Sequence, residues 1–205
     1  SHESKVYKAL ELNDARESIH HAIDWICDMP FSLKPVFIGY EISTSLLRDY
    51  DLSSNILGVG LKSHPNDPWM LNNRAYVNAR INKLDEAEKD MEQLEHCNKA
   101  LSESMSICKE ATHGLIAYRR KDREKGRKLY EQAILRASTM KENSEEIKVK
   151  AQINMLREEI IFSNYQNTSA LMELEQLVIP NEKLELVKLR NEVFDEMKKN
   201  EKNQG

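Results

Sequence analysis

The side chains able to do chemistry are few and scattered. His96-Cys97, Cys108 and His113 carry the imidazole and thiol donors that zinc takes. None of their spacings matches the paired C-x2-C forms that close a tetrahedral site, and Cys108 and His113 fall inside one helical pattern. Ordinary packing and surface positions account for them. His20-His21 is a doublet on neighbouring helical positions, which point in different directions. Glu158-Glu159 could be imagined as a general acid and base, but adjacent carboxylates on one helix do not converge on a single substrate. A nucleophile elbow, a phosphate-binding loop and a dinucleotide fingerprint are all absent. The expectation is therefore no enzyme, no catalytic residue, no metal and no cofactor.

One charged cluster stands out. "RRKDREKGRK", residues 119–128, holds seven basic and two acidic side chains, a local charge of +5 in a chain of net charge −4. Such a patch could meet a phosphate-bearing or acidic partner. It also sits where a turn between two helices is expected, and exposed charge there keeps the tip solvated. With a pI near 5.9, one patch gives little counterion release, which argues against a nucleic-acid binder.

The elements that would position any site are helices. Forty per cent of the 205 residues are apolar and 31% charged, with only six Gly and five Pro. That balance favours helices over a loop-rich or sandwich fold. Three widely spaced cysteines give no disulfide framework, and no apolar run is long enough to span a membrane. The expectation is a cytoplasmic, soluble chain, a monomer or weak homo-oligomer. The chain opens on Ser1-His2 rather than Met, so it may be read as a piece of something longer.

A unit recurs along the chain. Ala87 in "KLDEAEKDME" has counterparts at Ser53, 34 residues earlier, and Gly126, 39 residues later. Each is a small residue early in a helix that follows a polar turn. Four residues on come Leu57, Met91 and Tyr130; seven on come Gly60, Leu94 and Ala133. Ala75 and Gly114, twelve residues before their anchors, are small enough for two helices to cross closely. Antiparallel helices joined by a tight turn need that small residue at the crossing and a large one a turn later to fill the hole. No such pair buries its apolar stripe alone, so copies must stack.

This pattern resembles the tetratricopeptide repeat, a helix–turn–helix unit. The residues that carry it are "NNRAY...DEAEKDMEQL", "HGLIAYRR...EKGRKLYEQAI" and, more weakly, "GYEISTSLLRDYD...GLKSHPND", over roughly residues 34 to 137. Pro65, with Asn66-Asp67-Pro68, falls where the family places a helix-ending proline and a cap. The departures are Arg74 and Asn78 at usually apolar places, Glu41 at a usually small one, and Leu94 for the usual Ala. The third copy also arrives five residues late, which calls for an extended helix or a longer connector around residues 97–106.

The resemblance implies an all-α fold, a right-handed superhelical stack of antiparallel helix pairs closed by a C-terminal capping helix, with about nine or ten helices and no strand. Along the chain this reads as an N-terminal helix and connector over 1–33, three repeat-like pairs over 34–140, further helices and the cap over 141–199, and a frayed tail at 200–205. The first region holds a helix at 14–30 stopped by Pro30. A helix over 145–163 follows the third pair, then one opened by a Thr or Ser cap at "TSALMELEQLV". The last helix starts at Pro180-Asn181.

In the family the first helix of each pair lines a concave face. That placement points Trp69, Asn72, Tyr76 and Arg80 toward a groove, with Asn73 on its border. Leu115, Tyr118 and Arg119, beside Ala111, come from the next pair, and Ile38, Ile42 and Ser45 from the earlier one. Rings, amides and guanidinium groups suit an extended peptide; the alternative is that the rings simply pack between helices. The functional expectation is a non-catalytic scaffold for a protein or peptide partner. The alternatives are a regulatory RNA- or nucleotide-linked protein using residues 119–128, and an accessory region of a larger multidomain enzyme.

Overall fold

The computed structural model describes residues 1–97, 100–141 and 144–204, with side chains through residue 200. Among the described residues there are eleven α-helices and no strand. They fall into two compact units, Ser1–Ala100 and Leu101–Gly205. The first unit holds α1 (His2–Glu11), α2 (Ala15–Asp28), α3 (Leu33–Glu41), α4 (Tyr50–Ser63), α5 (Pro68–Arg80) and α6 (Leu84–Glu95). The second holds α7 (Glu103–Arg119), α8 (Arg123–Thr139), α9 (Ser144–Phe162), α10 (Thr168–Gln176) and α11 (Leu184–Gln204). Within the first unit each helix packs on the next in chain order. In the second, α9 packs against α7, α8, α10 and α11.

The turns inside the helix pairs share one construction. Asn13, Arg48, Asn82 and Lys121 all lie in the left-handed region, with φ between 54° and 69°. At three of the four, two hydrogen bonds close the preceding helix in the Schellman pattern. The amide of Asn82 donates to the carbonyl of Ala79 at 3.2 Å, and that of Lys83 to Asn78 at 2.9 Å. Lys121 and Asp122 repeat this on Tyr118 and Ala117, and Asn13 and Asp14 on Leu10 and Ala9. The residue after the left-handed one is also the N-cap of the next helix. Asp14, Asp49 and Asp122 each accept a backbone N–H from the first turn, those of Glu17, Leu52 and Lys125.

Because the geometry is fixed from the left-handed residue onward, the fourth residue of each second helix arrives at the crossing. Ser18, Ser53, Ala87 and Gly126 are these residues, and all four are buried. Their amides donate to the carbonyls of Asp14, Asp49, Lys83 and Asp122 at 3.0–3.1 Å. The large residues expected a turn later, Leu57, Met91 and Tyr130, are each at most 2% exposed. Ser53 fills its place with hydrogen bonds rather than methyl groups: its hydroxyl donates to Asp49 O at 2.7 Å and lies 2.8 Å from the Ser43 hydroxyl.

Several expectations change. A complete first helix, α1, pairs with α2, so Ser18 is a further copy of the anchor that the repeat over 53, 87 and 126 did not reveal. Glu41 is exposed because Ile42–Leu46 forms a π-helical turn. That turn inserts one residue before the left-handed Arg48, moving Glu41 out and burying Tyr40 in its stead. The five late residues of the third copy lie in the connector 96–102 and in α7, which is 17 residues long against 13 for α5. Of that connector, residues 98 and 99 fall outside the described set. Asn167, not Thr168 or Ser169, caps α10, accepting from the Ala170 amide. Pro180–Glu182 is a short 3-10 turn with Asn181 at φ 51°, and α11 starts at Leu184. The tail expected to fray from residue 200 is helical to Gln204; Gly205 lies outside the described residues.

At the α7–α8 crossing the two backbones approach closely through Gly114 and Gly126. A Cβ at Gly126 would sit 2.5 Å from Tyr118 Cδ2 and 3.0 Å from Gly114 O, and one at Gly114 would meet Gly126 O at 3.1 Å. Gly126→Ala is therefore expected to destabilise the chain by about 1–3 kcal/mol through overpacking, although alanine favours a helix interior by about 1 kcal/mol. Lys128→Ala, on the exposed side of the same helix, should stay within about 0.5 kcal/mol. Urea unfolding of the two variants beside the parent checks this, and a stabilised Gly126→Ala would refute the crossing.

Candidate functional site

The residues expected to face a groove divide between the units: Trp69, Asn72, Asn73, Tyr76 and Arg80 lie in the first, and Leu115, Tyr118 and Arg119 in the second. In the first unit they share α5, which Asp67 opens by accepting the Met70 amide at 2.9 Å, with Pro68 in the first turn. Trp69, Asn73, Tyr76 and Arg80 follow at spacings of four, three and four and so form one stripe. Trp69 is 39% exposed, and Asn73 and Tyr76 are half-buried.

Arg80 and Asn72 are buried. The Arg80 guanidinium lies over the Tyr50 ring at 4.5 Å and donates through Nη1 to the Tyr76 hydroxyl at 2.8 Å. Cation–π contact and hydrogen bonding offset the desolvation of that charge. Arg80 thus holds Tyr76 in place and joins α4 to α5, while the Trp69, Asn73 and Tyr76 edges reach solvent. Ile42, from the earlier helix, is buried, and Ile38 and Ser45 are half-buried.

In the second unit Leu115 and Tyr118 are 1% and 2% exposed, so neither offers a face to a partner. Tyr118 and Arg119 belong instead to a buried ionic network centred on α9. The Tyr118 hydroxyl donates to Glu159 Oε1 at 2.6 Å, and Arg123 Nη2 reaches Glu159 Oε2 at 2.6 Å. Arg119 Nη2 donates to Glu158 Oε1 at 2.9 Å; Arg157 Nη1 reaches the same oxygen at 2.6 Å and its Nη2 reaches Glu196 at 2.9 Å. Three arginines thus meet three carboxylates. Glu158 and Glu159 are two halves of a charge-paired lattice, each oxygen pair turned toward guanidinium donors.

Burial works to raise the Glu159 carboxyl, but hydrogen bonds from Arg123 and Tyr118 outweigh it and hold it below the usual carboxylate range. Burial, with the hydrogen bond to Glu159, pushes the Tyr118 phenol well above its ordinary value. This network leaves only a weak sign in the sequence. Arg157, Glu158 and Glu159 interrupt the apolar run of α9, and charges at buried helical positions need partners.

Two arginines of the basic turn belong to the same lattice. Arg119 and Arg123 hold Glu158 and Glu159, and Arg127 pairs with Glu131 at 2.8 Å. Lys121, Lys125 and Lys128 are exposed. No three or more metal-ligating side chains come together among the described residues. Cys108 lies in α7, where burial pushes its thiol up and so away from the thiolate form that metals bind. His21 lies 3.1 Å from Glu17 and His20 3.8 Å from Asp24, each along its own helix. No helix is long and apolar enough to cross a membrane among the described residues.

The polar departures at Arg74 and Asn78 also have partners. Arg74 grips the buried Asp90 of α6 with two hydrogen bonds, Nε to Oδ2 at 2.8 Å and Nη2 to Oδ1 at 2.5 Å. Ser54 of α4 donates to Asn78 Oδ1 at 2.7 Å. Comparison with protein-family models, with curated proteins and with solved structures found no match.

Removing one member of a buried pair leaves the other charge uncompensated. Arg119→Ala is expected to destabilise by about 3–5 kcal/mol, read as a lowered denaturation midpoint. A loss below about 1 kcal/mol would mean that Arg119 is in effect a surface residue. The network also sets a pH window. The depressed Glu159 contributes stability that is present above the unfolded carboxylate value of about 4.3 and is lost as pH falls through the folded value. The raised Tyr118 contributes stability that is complete below about pH 10 and is lost as pH rises beyond it. Glu159→Gln should flatten the acid limb of the stability–pH curve and Tyr118→Phe the alkaline limb; unchanged limbs in urea titrations across pH would contradict this.

Proposed function

We propose that the chain is a non-catalytic protein-interaction module of the tetratricopeptide-repeat type, a right-handed superhelical stack of helix pairs acting in the cytoplasm. Its contact surface is the α5 stripe of the first unit, and its partner is a peptide or protein. Support for the repeat reading comes from four turns with a left-handed residue at the same position, the same cap position and a small buried residue at the fourth helical place.

The observation that carries the functional reading is Trp69, 39% exposed and in line with the half-buried Asn73 and Tyr76. A large exposed ring beside an amide and a phenol is the composition of an interface hot spot. Arg80 acts from behind it by fixing the Tyr76 hydroxyl, which reduces the ordering that binding requires. Leu115, Tyr118 and Arg119 serve the interior of the second unit in this reading and leave the contact set.

Selection from a random-peptide library followed by calorimetric titration tests the reading. Trp69→Ala is expected to weaken the selected peptides by about 2 kcal/mol or more, roughly thirtyfold, with the melting temperature unchanged. Peptides that bind Trp69→Ala, Asn73→Ala and the parent equally well would refute the α5 stripe as the contact surface.

A further inference from the structure

The opposite side of α5 forms the floor of a second site. A pocket of about 600 Å³ opens in the first unit between α4 and α6, with Arg74 and Asn78 from α5 beneath it. At 100° per residue, positions 74 and 78 lie roughly opposite the stripe of 69, 73, 76 and 80. The volume falls within the range of small-molecule sites.

The polar groups of this floor are asymmetric. Its acceptors are occupied: Asn78 Oδ1 takes the Ser54 hydroxyl, and both Asp90 oxygens take Arg74. Its donors are not. Asn78 is 4% exposed, yet its Nδ2 makes no hydrogen bond among the described residues, and Arg74 Nη1 makes none either. Neither nitrogen is fully enclosed: both keep some solvent contact, and both side chains line the pocket, so they can donate to a molecule that enters it.

On the rim, Lys62 of α4 and Lys89 of α6 have no ion-pair partner among the described residues, whereas Lys83 is held by Asp51 at 2.6 Å. Among the described lining residues the carboxylates are Glu86 on the rim and Asp90, held by Arg74, in the floor. The pocket therefore offers two lysines and a set of fixed N–H donors to whatever enters it. The Arg74 fork is already closed on Asp90, so planar two-point recognition of a carboxylate is not available. Two point-charge lysines with scattered donors suit a group carrying two negative charges and three acceptor oxygens.

We propose that this pocket binds the phosphoryl group of a small phosphorylated molecule, with Lys62 and Lys89 neutralising it and Asn78 Nδ2 and Arg74 Nη1 donating to its oxygens. The site is independent of the α5 stripe and stands whether or not that surface binds a peptide. It also gives Arg74 and Asn78 a role that apolar residues at those places could not fill.

The test is an NMR titration that follows the Asn78 side-chain amide. Inorganic phosphate, glucose 6-phosphate and AMP are added against glucose, adenosine and sodium chloride at equal ionic strength, with a phosphoserine peptide as a separate arm. Saturable shifts of that amide are expected with inorganic phosphate and with at least one of the two esters, and not with the controls. Lys62→Gln and Lys89→Gln, both at exposed positions, should each weaken binding about tenfold with the fold intact. The proposal is overturned if no phosphate compound gives a saturable shift, if the shifts survive unchanged in the double variant, or if the phosphoserine peptide alone binds.

Discussion

Each helix pair turns back on a residue held at positive φ, and the next residue already caps the following helix. This merger of one helix's end with its partner's start leaves little freedom in the turn. At three of the four turns the carbonyls freed at the end of the first helix are taken by two amides of the turn, and at three an Asp side chain takes an amide freed at the start of the second. With the turn so defined, the crossing point is fixed at the fourth residue, and that residue must be small. Ser18, Ser53, Ala87 and Gly126 satisfy this with different chemistry. A hydroxyl bonded to the cap carbonyl does it at Ser18 and Ser53, a methyl group at Ala87, and bare backbone at Gly126.

The two units then differ in how they join one pair to the next. The first unit uses mainly apolar contacts, with isolated polar clasps such as Ser54–Asn78 and the Arg80–Tyr50 stack. The second concentrates charge on α9, where Arg157, Glu158 and Glu159 receive side chains from α7, α8 and α11. Desolvation makes such a lattice a weak source of net stability, but a mispaired register would leave buried charges without partners. Its value lies in specifying one arrangement of α7, α8, α9 and α11.

The repeat was legible where a small residue, a polar turn and a large residue a turn later recur at fixed distances, as at Ala87 and Gly126. It was not legible at α1, because Val6 stands where Ala75 and Gly114 stand and Ala22 and Trp25 reverse the usual order of sizes. The π-helical insertion before Arg48 shifted Glu41 by one place, and no local propensity signals such an insertion. The α5 stripe could be read from spacing alone, but exposure could not. Tyr76 and Leu115 occupy corresponding places, eleven residues before Ala87 and Gly126, yet Leu115 is buried and Tyr76 only half-buried. Arg74 and Asn78 were visible as misfits in an apolar pattern. Their pairing with Asp90 and Ser54 depends on α4 and α6 both packing on α5, which spacing does not encode.

The surfaces proposed for binding are those left over once the crossings are satisfied, so both proposals depend on turns of this construction. The most direct measurement is the stability of Lys121→Gly and Asn82→Gly. A left-handed backbone carries a penalty of about 1–2 kcal/mol for a residue with a Cβ, so glycine at either place is expected to leave the melting temperature unchanged or raise it. If both glycine variants instead lose about 1 kcal/mol, as glycine does inside a helix, these positions are helical, the turns are not built this way, and the account fails.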